Sequence, residues 1–443
     1  GIDIGGLDAS IVAGFPGSFN SFWQQSGRAG RRGGTSVSVF IASSSPLDQF
    51  IMQNNEWFFA KSAEEGRIDP ENPYIFTDHV KCATFELPFK ISSKESRKEE
   101  VGRRKCGDSG LFGDNLQDAL DYLAEDGIIR KIESRQTPTD DNLPTSYFLL
   151  STYYWSDRSY PAEGISLRSA TADNVVIIDV TKGRNAVIGE MDRPSAKEMV
   201  FKNAVYLHRG RQFIVENLDI ENRKCLVVEA DVNYFTDGLV KRDIKVLSED
   251  EEISSRGDAE AQRSDKQCEI VFKVTLGDIL VRSQVSKFKK IKFWTHENIG
   301  YGDIDLSEEE MQTRALMLTF PPDTKAGQYL QAFERTEDAG AALSGAGTLI
   351  KQIAPVYLLC DSRDIGIAER VRDPHFGIPA LYIYDKYPGG TGLAEALAEK
   401  LNGLFHAAYE TVAQCSCKNG CPSCVGPAGG KAEAKGLLRA LIV

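Results

Sequence analysis

Four cysteines close together near the end of the sequence have the clearest chemical implication. Cys415, Cys417, Cys421 and Cys424 form the pattern C-x-C-x₃-C-x₂-C. Thiolates held this close repel one another unless a divalent cation neutralises them, and four sulfurs at about 2.3 Å complete the closed tetrahedron of a structural Zn²⁺ site. We therefore expect a structural zinc site with no open position for catalysis. An iron–sulfur cluster and two short disulfides are the alternatives.

The remaining cysteines are scattered singly, which suggests core packing in a reducing compartment. They are Cys82, Cys106, Cys225, Cys268 and Cys360. The sequence shows no apolar run of about 18 residues and no basic segment followed by an apolar stretch with a cleavage site. We expect a cytoplasmic protein that does not engage a membrane.

A turn rich in arginine and glycine is the second candidate for chemistry. Its residues follow the pattern Q-x-x-G-R-A-G-R, with Gln24, Gly27, Arg28, Ala29, Gly30 and Arg31. Arginine stays charged, and its planar fork of donors matches phosphate oxygens. The turn is expected to lie between a short helix, with Asn20 or Ser21 as its N-cap, and a strand over 36–42. A solvated loop or an RNA-binding arginine–glycine segment would also fit.

This pattern resembles motif VI of superfamily 2 helicases, and Gly1–Asp3 resembles motif V of the same enzymes. The resemblance implies that Arg28 and Arg31 contact the γ-phosphate of ATP, with Arg31 as the arginine finger. It also implies cofactor-binding positions at Gln24, which organises the turn, at Gly27, and at Asp3 near the ribose hydroxyls.

The sequence contains no G-x-x-x-x-G-K-[ST] and no D-E-x-[HD] pattern. These motifs cradle the β-phosphate and hold Mg²⁺ in ATPases of this kind. We therefore expect that the chain does not hydrolyse ATP alone. The favoured interpretation is the C-terminal portion of a larger helicase, beginning inside its second motor domain.

Length and charge constrain the rest of the molecule. At about 150 residues per domain, 443 residues correspond to about three domains, and 42% hydrophobic residues suffice for packed cores. The net charge of −12 argues against a surface that coats nucleic acid throughout. Any polyanion must therefore meet a local basic surface.

Periodicity suggests several further modules. A helical stripe at Leu116, Ala119, Leu120 and Leu123, followed by two strands, fits a winged helix. Short β-rich runs punctuated by glycine suggest a small antiparallel barrel. A charged stretch follows, and then a domain that ends with the cysteines. The expected segments are a RecA-like remnant (1–45), a winged-helix-like domain (46–160), a β-rich domain (161–247), a flexible linker (248–267) and a zinc-binding domain (268–443).

Several basic residues are candidates for phosphate contact. A solvated face is the alternative for those of the winged-helix-like segment, and a structural role in its strand is favoured for His208. In the winged-helix-like segment the candidates are Arg103, Arg104, Lys105, Arg130 and Lys131, and in the β-rich segment His208, Arg209 and Arg211. Lysines at 287, 289, 290 and 292 alternate with Phe288, Phe293 and Trp294, a composition that can follow a backbone and stack bases. An edge strand kept soluble by lysines is the alternative.

Three aspartates and a glycine turn complete the candidates. A helix is expected over roughly 338–353, followed by the strand PVYLLCDSRDIG. Asp361, Asp364 and Asp385 are placed at carboxyl ends of strands, primarily as structural caps. YPGGTG (387–392) precedes a helix and could bind a phosphate, but a tight turn is favoured.

Together with the two helicase motifs and the cysteines, the segments YLHRGRQFIVENLD, KIKFWTHENIGYG, LLCDSRDIG and YIYDKYPGGTGLAE resemble the C-terminal part of mitomycin repair factor A type DNA helicases. The resemblance implies an α/β and α+β multidomain fold with RecA-like, winged-helix-like, barrel-like and zinc-binding parts. It implies ATP-dependent 3′ to 5′ movement on single-stranded or 3′-tailed DNA, in DNA repair, with Zn²⁺, ATP and Mg²⁺. A non-catalytic zinc-stabilised DNA-binding or scaffold module, and an RNA helicase, are the alternatives.

Overall fold

The structure is a computed structural model of the chain. It describes residues 7–30, 35–64, 66, 69–94, 112–136, 148–165, 174–254, 271–426 and 429–442. The chain divides into two compact units that are discontinuous in sequence. Unit 1 comprises Gly1–Ile68, Lys241–Gln284 and Ser307–Val443, and unit 2 comprises Asp69–Val240 and Val285–Leu306. The bounds of the five predicted segments stay a prediction.

The helices over the described residues are α1 (Phe19–Ser26), α2 (Pro46–Gln53), α3 (Asn55–Phe59), α4 (Pro73–Glu86), α5 (Leu116–Glu125), α6 (Arg193–Met199), α7 (Lys325–Gln331), α8 (Thr336–Leu358), α9 (Leu393–Ala398), α10 (Leu401–Gln414) and α11 (Lys431–Leu441). None of these helices is both long enough and apolar enough to cross a membrane.

The strands over the same residues are β1 (Ala9–Ala13), β2 (Val37–Ile41), β3 (Phe89–Lys94), β4 (Ile129–Gln136), β5 (Phe148–Trp155), β6 (Asn174–Asp179), β7 (Ala186–Asp192), β8 (Val205–His208), β9 (Arg211–Asp219), β10 (Lys224–Glu229), β11 (Tyr234–Val246), β12 (Glu251–Ser254), β13 (Lys273–Lys292), β14 (Asn298–Asp303), β15 (Glu309–Thr319), β16 (Ile365–Arg370) and β17 (Ala380–Asp385).

In unit 1, β1 and β2 form a parallel pair, and α1 lies between them in sequence. This confirms the predicted order of strand, helix, turn and strand. The predicted N-caps are wrong, because α1 begins one residue after Ser18, whose side chain accepts a hydrogen bond from Ser21 N at 3.1 Å. An N-cap serine usually accepts a hydrogen bond from the backbone N–H three residues later. The segment SFNS has residues that can cap a helix both at Ser18 and at Asn20 and Ser21, so the sequence alone did not fix the first residue of α1.

Unit 1 also contains an antiparallel sheet, in which β13, β15, β17 and β16 lie side by side in that order. The long helix α8 packs against β16, α10 and α11, and its buried face runs almost its entire length. Close packing is possible because Gly345 has no side chain, and a Cβ there would lie 2.7 Å from Ala434 Cβ.

The predicted strand PVYLLC is wrong, because α8 continues through Leu358. An apolar run that is buried all round does not distinguish a strand from a buried helix by periodicity. The helix ends where Leu359 adopts a left-handed conformation (φ 54°) and Cys360 N donates to Pro355 O at 3.1 Å.

Unit 2 contains the helix pair α4 and α5 with the three-stranded sheet β3-β5-β4. The leucines of the predicted stripe, Leu116, Leu120 and Leu123, are buried in one core with Phe76 and Tyr153. Helix α5 stops at Gly127, whose φ of 76° favours glycine. Two helices with such a sheet are the elements expected of a winged helix.

Unit 2 also contains a five-stranded sheet in the order β7-β6-β10-β9-β8. Most of its pairings are antiparallel, as expected of the barrel-like part, but β6 and β10 are parallel. The later part of β13 forms an antiparallel hairpin with β14. Together these parts form the mixed α/β multidomain fold with barrel-like sheets that the sequence predicts.

The stretch predicted as a flexible linker begins as ordered structure in unit 1. β12 pairs with β13 from Glu251 opposite Leu276 to Ser254 opposite Lys273, and Asp250 N donates to Leu276 O at 2.9 Å. A charged strand at a sheet edge has little apolar periodicity to reveal it. Residues 255–270 lie outside the described part of the chain.

Candidate functional site

The four cysteines of unit 1 come together after α10. All four Sγ atoms lie within 4.8 Å of one another, with separations of 3.6 Å for Cys415–Cys421 and Cys417–Cys424 and 3.7 Å for Cys421–Cys424. Sulfurs about 2.3 Å from a central ion in a tetrahedron are about 3.8 Å apart. A disulfide needs about 2.05 Å. The donor set therefore fits one tetrahedral metal ion and does not fit disulfides.

The loop that carries the thiols is held from two sides. Gly420 has a φ of 125°, and a Cβ there would lie 2.9 Å from Val425 Cγ2 and 3.1 Å from Gly429 O. Lys431, the first residue of α11, donates from Nζ to the carbonyl oxygens of Cys415 and Cys417, each at 2.5 Å. Lys431 could not be predicted from the sequence, because a contact from a side chain to backbone carbonyls leaves no sequence pattern.

The thiols have different pKa values within this small cluster. Burial raises the pKa of Cys424 to about 12. Burial also acts on Cys421, but hydrogen bonds from Ser423 N and the other three cysteines outweigh it and lower its pKa to about 7. Cys421 therefore ionises more easily than Cys424. A bound cation favours the thiolate at every position.

The arginine–glycine turn follows α1 in unit 1. Gln24 Nε2 donates to Asn20 Oδ1 at 3.3 Å, and Gly27 N donates to Trp23 O at 2.8 Å. Arg28 stands one residue beyond this cap, and Gly30 N donates to Leu7 O at 2.9 Å. The turn is thus fixed against Leu7, two residues before β1. Two of the predicted residues, Asp3 and Arg31, lie outside the described residues.

The N-terminus of helix α1 is held by Glu64, which no sequence pattern predicted. The carboxylate of Glu64 accepts hydrogen bonds from Phe19 N and, at 2.8 Å, from Asn20 N. A negative charge at a helix N-terminus interacts favourably with the helix dipole. The apolar side of α1 packs against α3, where the ring of Phe58 lies 4.8 Å from the ring of Phe19 and 5.1 Å from that of Phe22.

The aspartates lie near one edge of the unit 1 sheet, but not as predicted. Asp361 and Asp364 precede β16 instead of ending a strand, and only Asp385 ends one. They come close because β16 and β17 are antiparallel, with Ile365 opposite Asp385. Asp361 pairs with Arg363 at 2.9 Å, and Asp364 accepts from Tyr387 Oη at 2.8 Å.

The turn before α9 binds a side chain of the protein itself. Asp385 accepts hydrogen bonds from Thr391 N at 2.5 Å, Leu393 N at 3.3 Å and Ala394 N at 3.1 Å. Burial raises the pKa of this carboxyl, and the hydrogen bonds oppose the shift. Since the backbone N–H groups already have an acceptor, YPGGTG is a capped turn, as the favoured interpretation has it.

Three of the described basic candidates in unit 2 have partners in the protein. Lys131 Nζ lies 3.1 Å from Asp121 Oδ1. Arg211 forms a two-pronged ion pair with Glu229, and His208 Nδ1 lies 3.2 Å from Tyr206 Oη. These contacts favour the structural interpretation at each position. The candidates Arg103, Arg104 and Lys105 lie outside the described residues.

The segment of unit 2 that alternates lysines with aromatic residues forms the end of β13 and the turn of the β13–β14 hairpin. Phe288 is buried, whereas Trp294 at the tip is 92% exposed. Lys292 Nζ lies 2.7 Å from Glu297 Oε2, and Lys290 Nζ lies 5.6 Å from the ring centroid of Tyr234. The hairpin thus combines a packed side with an exposed basic and aromatic side.

Comparison with known proteins relates both candidate sites to one family. Residues 346–425 match the model of the MrfA Zn-binding domain, and this range contains all four cysteines. The ATP-dependent helicase YprA of Bacillus subtilis is 37% identical over 432 residues, which cover 96% of this chain and 50% of that protein. The ATP-dependent helicase HRQ1 of Saccharomyces cerevisiae is 25% identical over 451 residues, covering 96% and 36%.

Solved structures give the same result. The crystal structure of the helicase MrfA bound to DNA matches with a TM-score of 0.55 and 35% identity, over 97% of this chain and 51% of that chain. MrfA bound to DNA and AMPPNP matches with a TM-score of 0.54 and 35% identity, over 99% and 50%. This chain spans about half the length of these relatives or less. By sequence and fold, the chain is similar to helicases of the MrfA/YprA type, and residues 346–425 match their zinc-binding domain.

Proposed function

We propose that this chain acts as the C-terminal part of an ATP-dependent superfamily 2 DNA helicase that moves 3′ to 5′ on single-stranded or 3′-tailed DNA and serves in DNA repair. The observation that carries the proposal is the turn after α1, where Gly27 and Arg28 follow a capped helix between two parallel strands. This arrangement presents guanidinium groups from one motor domain toward a nucleotide held by another.

In this proposal, Arg28 and Arg31 contact the γ-phosphate of ATP. Gln24 and Gly27 shape the turn, and Asp3 lies near the ribose. Guanidinium groups neutralise the charge that develops on the phosphoryl group during transfer, an effect that is largest where water is excluded. The β-phosphate and Mg²⁺ would be held by a second motor domain with a G-x-x-x-x-G-K-[ST] motif. This chain supplies one side of the active site only.

We also propose that Cys415, Cys417, Cys421 and Cys424 hold one structural Zn²⁺. The tetrahedral spacing of their sulfurs and the match to a zinc-binding family model support this assignment. With four sulfur ligands the ion has no open position. Its contribution is therefore to fold the loop between α10 and α11, and the chemistry of ATP turnover stays with the arginines.

The test is DNA-stimulated ATP hydrolysis by the intact polypeptide that carries this sequence and a Walker-type motor domain. Arg31→Ala is expected to lower kcat by about a thousandfold or more, the usual contribution of an arginine finger, while DNA binding stays unchanged. Arg335→Ala is the matched control, because Arg335 is exposed and its ion pair with Asp338 lies within α8 and its cap.

Normal turnover in the Arg31→Ala protein would contradict the arginine assignment. Absence of ATPase activity in the intact polypeptide would favour a DNA-binding or scaffold module. Stimulation by RNA and not by DNA would favour an RNA helicase. The three results are distinguishable, because the first is read in the variant, the second in the unmodified polypeptide, and the third from which nucleic acid stimulates ATP hydrolysis.

A further inference from the structure

The β13–β14 hairpin of unit 2 carries aromatic side chains that are unusually exposed. Trp294 is 92% exposed and Tyr301 is 63% exposed. Tryptophan in water forgoes a large apolar contact, and its ring is among the preferred surfaces for stacking a base. The combination of both aromatics with the adjacent lysines is not used by the ATP site or by the cysteine cluster.

One face of the hairpin is packed and holds it in place. Phe288 is buried in the core of unit 2, with its ring 5.0 Å from that of Phe201. On the neighbouring strand, Gly302 lies directly opposite Phe288, and a Cβ there would be 2.2 Å from the phenylalanine ring. The ring thus fills the space where a side chain would stand, and the hairpin is fixed by its core contacts.

The other face is basic and aromatic. Side chains alternate along a strand, so Lys287 and Lys289 lie on the face opposite Phe288. The register places Tyr301 opposite Lys289 and Asp303 opposite Lys287. A cation beside an aromatic ring can contact a phosphate while the ring stacks on the attached base.

The tip is ordered by its own contacts. Phe293 N donates to Asn233 O at 3.1 Å, and the rings of Phe293 and Phe235 lie 5.7 Å apart. His296 adopts a positive φ of 53°, and Lys292 pairs with Glu297 across the turn. Trp294 therefore projects from a supported turn, which lowers the conformational entropy lost when a partner binds.

We infer that this hairpin is a binding site for single-stranded DNA, in which Trp294 stacks on an unpaired base while Lys289 and Lys287, further along β13, contact phosphates several nucleotides away on the same strand. Charge favours an anionic occupant over an apolar protein surface, because the segment 287–303 holds four lysines and two acidic residues in a chain whose net charge is −12. The exposed aromatic rings favour nucleic acid over an acidic protein surface, because bases can stack on them. Stacking requires an unpaired base, which selects a single strand over a duplex. The inference rests on the proposed function in one respect, because the proposed helicase has single-stranded DNA as its substrate.

The experiment measures binding of fluorescein-labelled dT20 to the 443-residue chain, without ATP, by fluorescence anisotropy. Trp294→Ala is expected to weaken binding by about tenfold, within the range of one lost base stack. Trp294→Phe keeps a ring and is expected to retain most of the affinity. Adding unlabelled dT20 to the unmodified chain is expected to quench tryptophan fluorescence, and this quench disappears in Trp294→Phe.

The charge contribution is tested by the salt dependence of binding. Replacing Lys287 and Lys289 by Gln is expected to lower the slope of log K against log salt by about 1.4, since each contact to a single strand contributes about 0.7. The control replaces Lys202 and Lys224 by Gln. Both are exposed lysines of the same unit, so the net charge changes equally.

Equal affinity of Trp294→Ala and the unmodified chain would overturn the inference, as would the absence of dT20 binding by the folded chain. Equal binding of double-stranded and single-stranded DNA would remove the stacking assignment. These results are independent of the ATPase test, because dT20 binding is measured without ATP and the variants lie in the hairpin, outside the arginine turn.

Discussion

The ring of Trp57 on α3 lies 5.4 Å from the ring of Tyr357 on α8. Phe50 of α2 also approaches Tyr357, with ring centroids 6.4 Å apart. The adjacent residue of α3, Phe58, packs on α1, which precedes the arginine turn. Since α8 enters the zinc-binding family match at residue 346, the helix before the arginine turn and the zinc-binding part share one core within unit 1.

Tyr357→Ala should therefore destabilise unit 1. The substitution removes the contacts with both aromatic rings and leaves a cavity, which we expect to cost about 2–3 kcal/mol of unfolding free energy for a partly buried ring. Urea unfolding followed by tryptophan fluorescence measures the change. Tyr357→Phe keeps the ring and should unfold like the unmodified chain. Equal stability of the Ala and unmodified proteins would show that the ring contacts contribute little.

Glu64→Gln should weaken the start of α1. The two carboxylate oxygens of Glu64 accept from Phe19 N and Asn20 N at the positive end of the helix. Gln keeps one acceptor oxygen but loses the second acceptor and the negative charge. We expect a loss of about 0.5–2 kcal/mol, the range of a helix cap. Urea unfolding measures the loss. Glu334→Gln is the control, because Glu334 is exposed in the same unit, between α7 and α8, and the substitution removes the same charge. A similar loss in both variants would indicate a general charge effect.

The purified chain should contain about one Zn²⁺. Cys421→Ser and Cys424→Ser should both lose the metal and unfold at lower urea concentration, because the binding free energy of a structural zinc is also folding free energy. Cys82→Ser removes a thiol of unit 2 that lies outside the cluster and should retain the metal. Elemental analysis measures the metal. Iron with visible absorbance, and no zinc, would instead support an iron–sulfur cluster.

Asp385→Asn should destabilise the turn before α9. The amide group would direct its own hydrogens toward backbone donors that now bind the carboxylate, from Thr391, Leu393 and Ala394. A loss of about 2–3 kcal/mol is expected for unpaired buried donors. Thermal unfolding checks the value. Asp323→Asn removes an exposed carboxylate of the same unit and should have almost no effect.

Local chemistry explains which features the sequence alone determined. The cysteine spacing predicted the cluster because three short loops can bring four thiols around one ion, whatever the rest of the fold does. The leucine stripe of α5 predicted a buried helical face because side chains three and four residues apart lie on the same side of a helix. The order of strand, helix, turn and strand around Arg28 followed from similar short-range patterns.

Only the tertiary structure decided features that depend on packing between distant residues. PVYLLC continues the helix α8 because most of its side chains are buried in the core of unit 1, whereas its composition fits a strand equally well. Asp364 and Asp385 meet because β16 and β17 are antiparallel, whereas their positions in the sequence suggested separate strand ends. Glu64 and Lys431 form hydrogen bonds with backbone groups of distant residues, and a contact of this kind leaves no pattern of side chains in the sequence. Long-range packing therefore selected among local structures that the sequence allows.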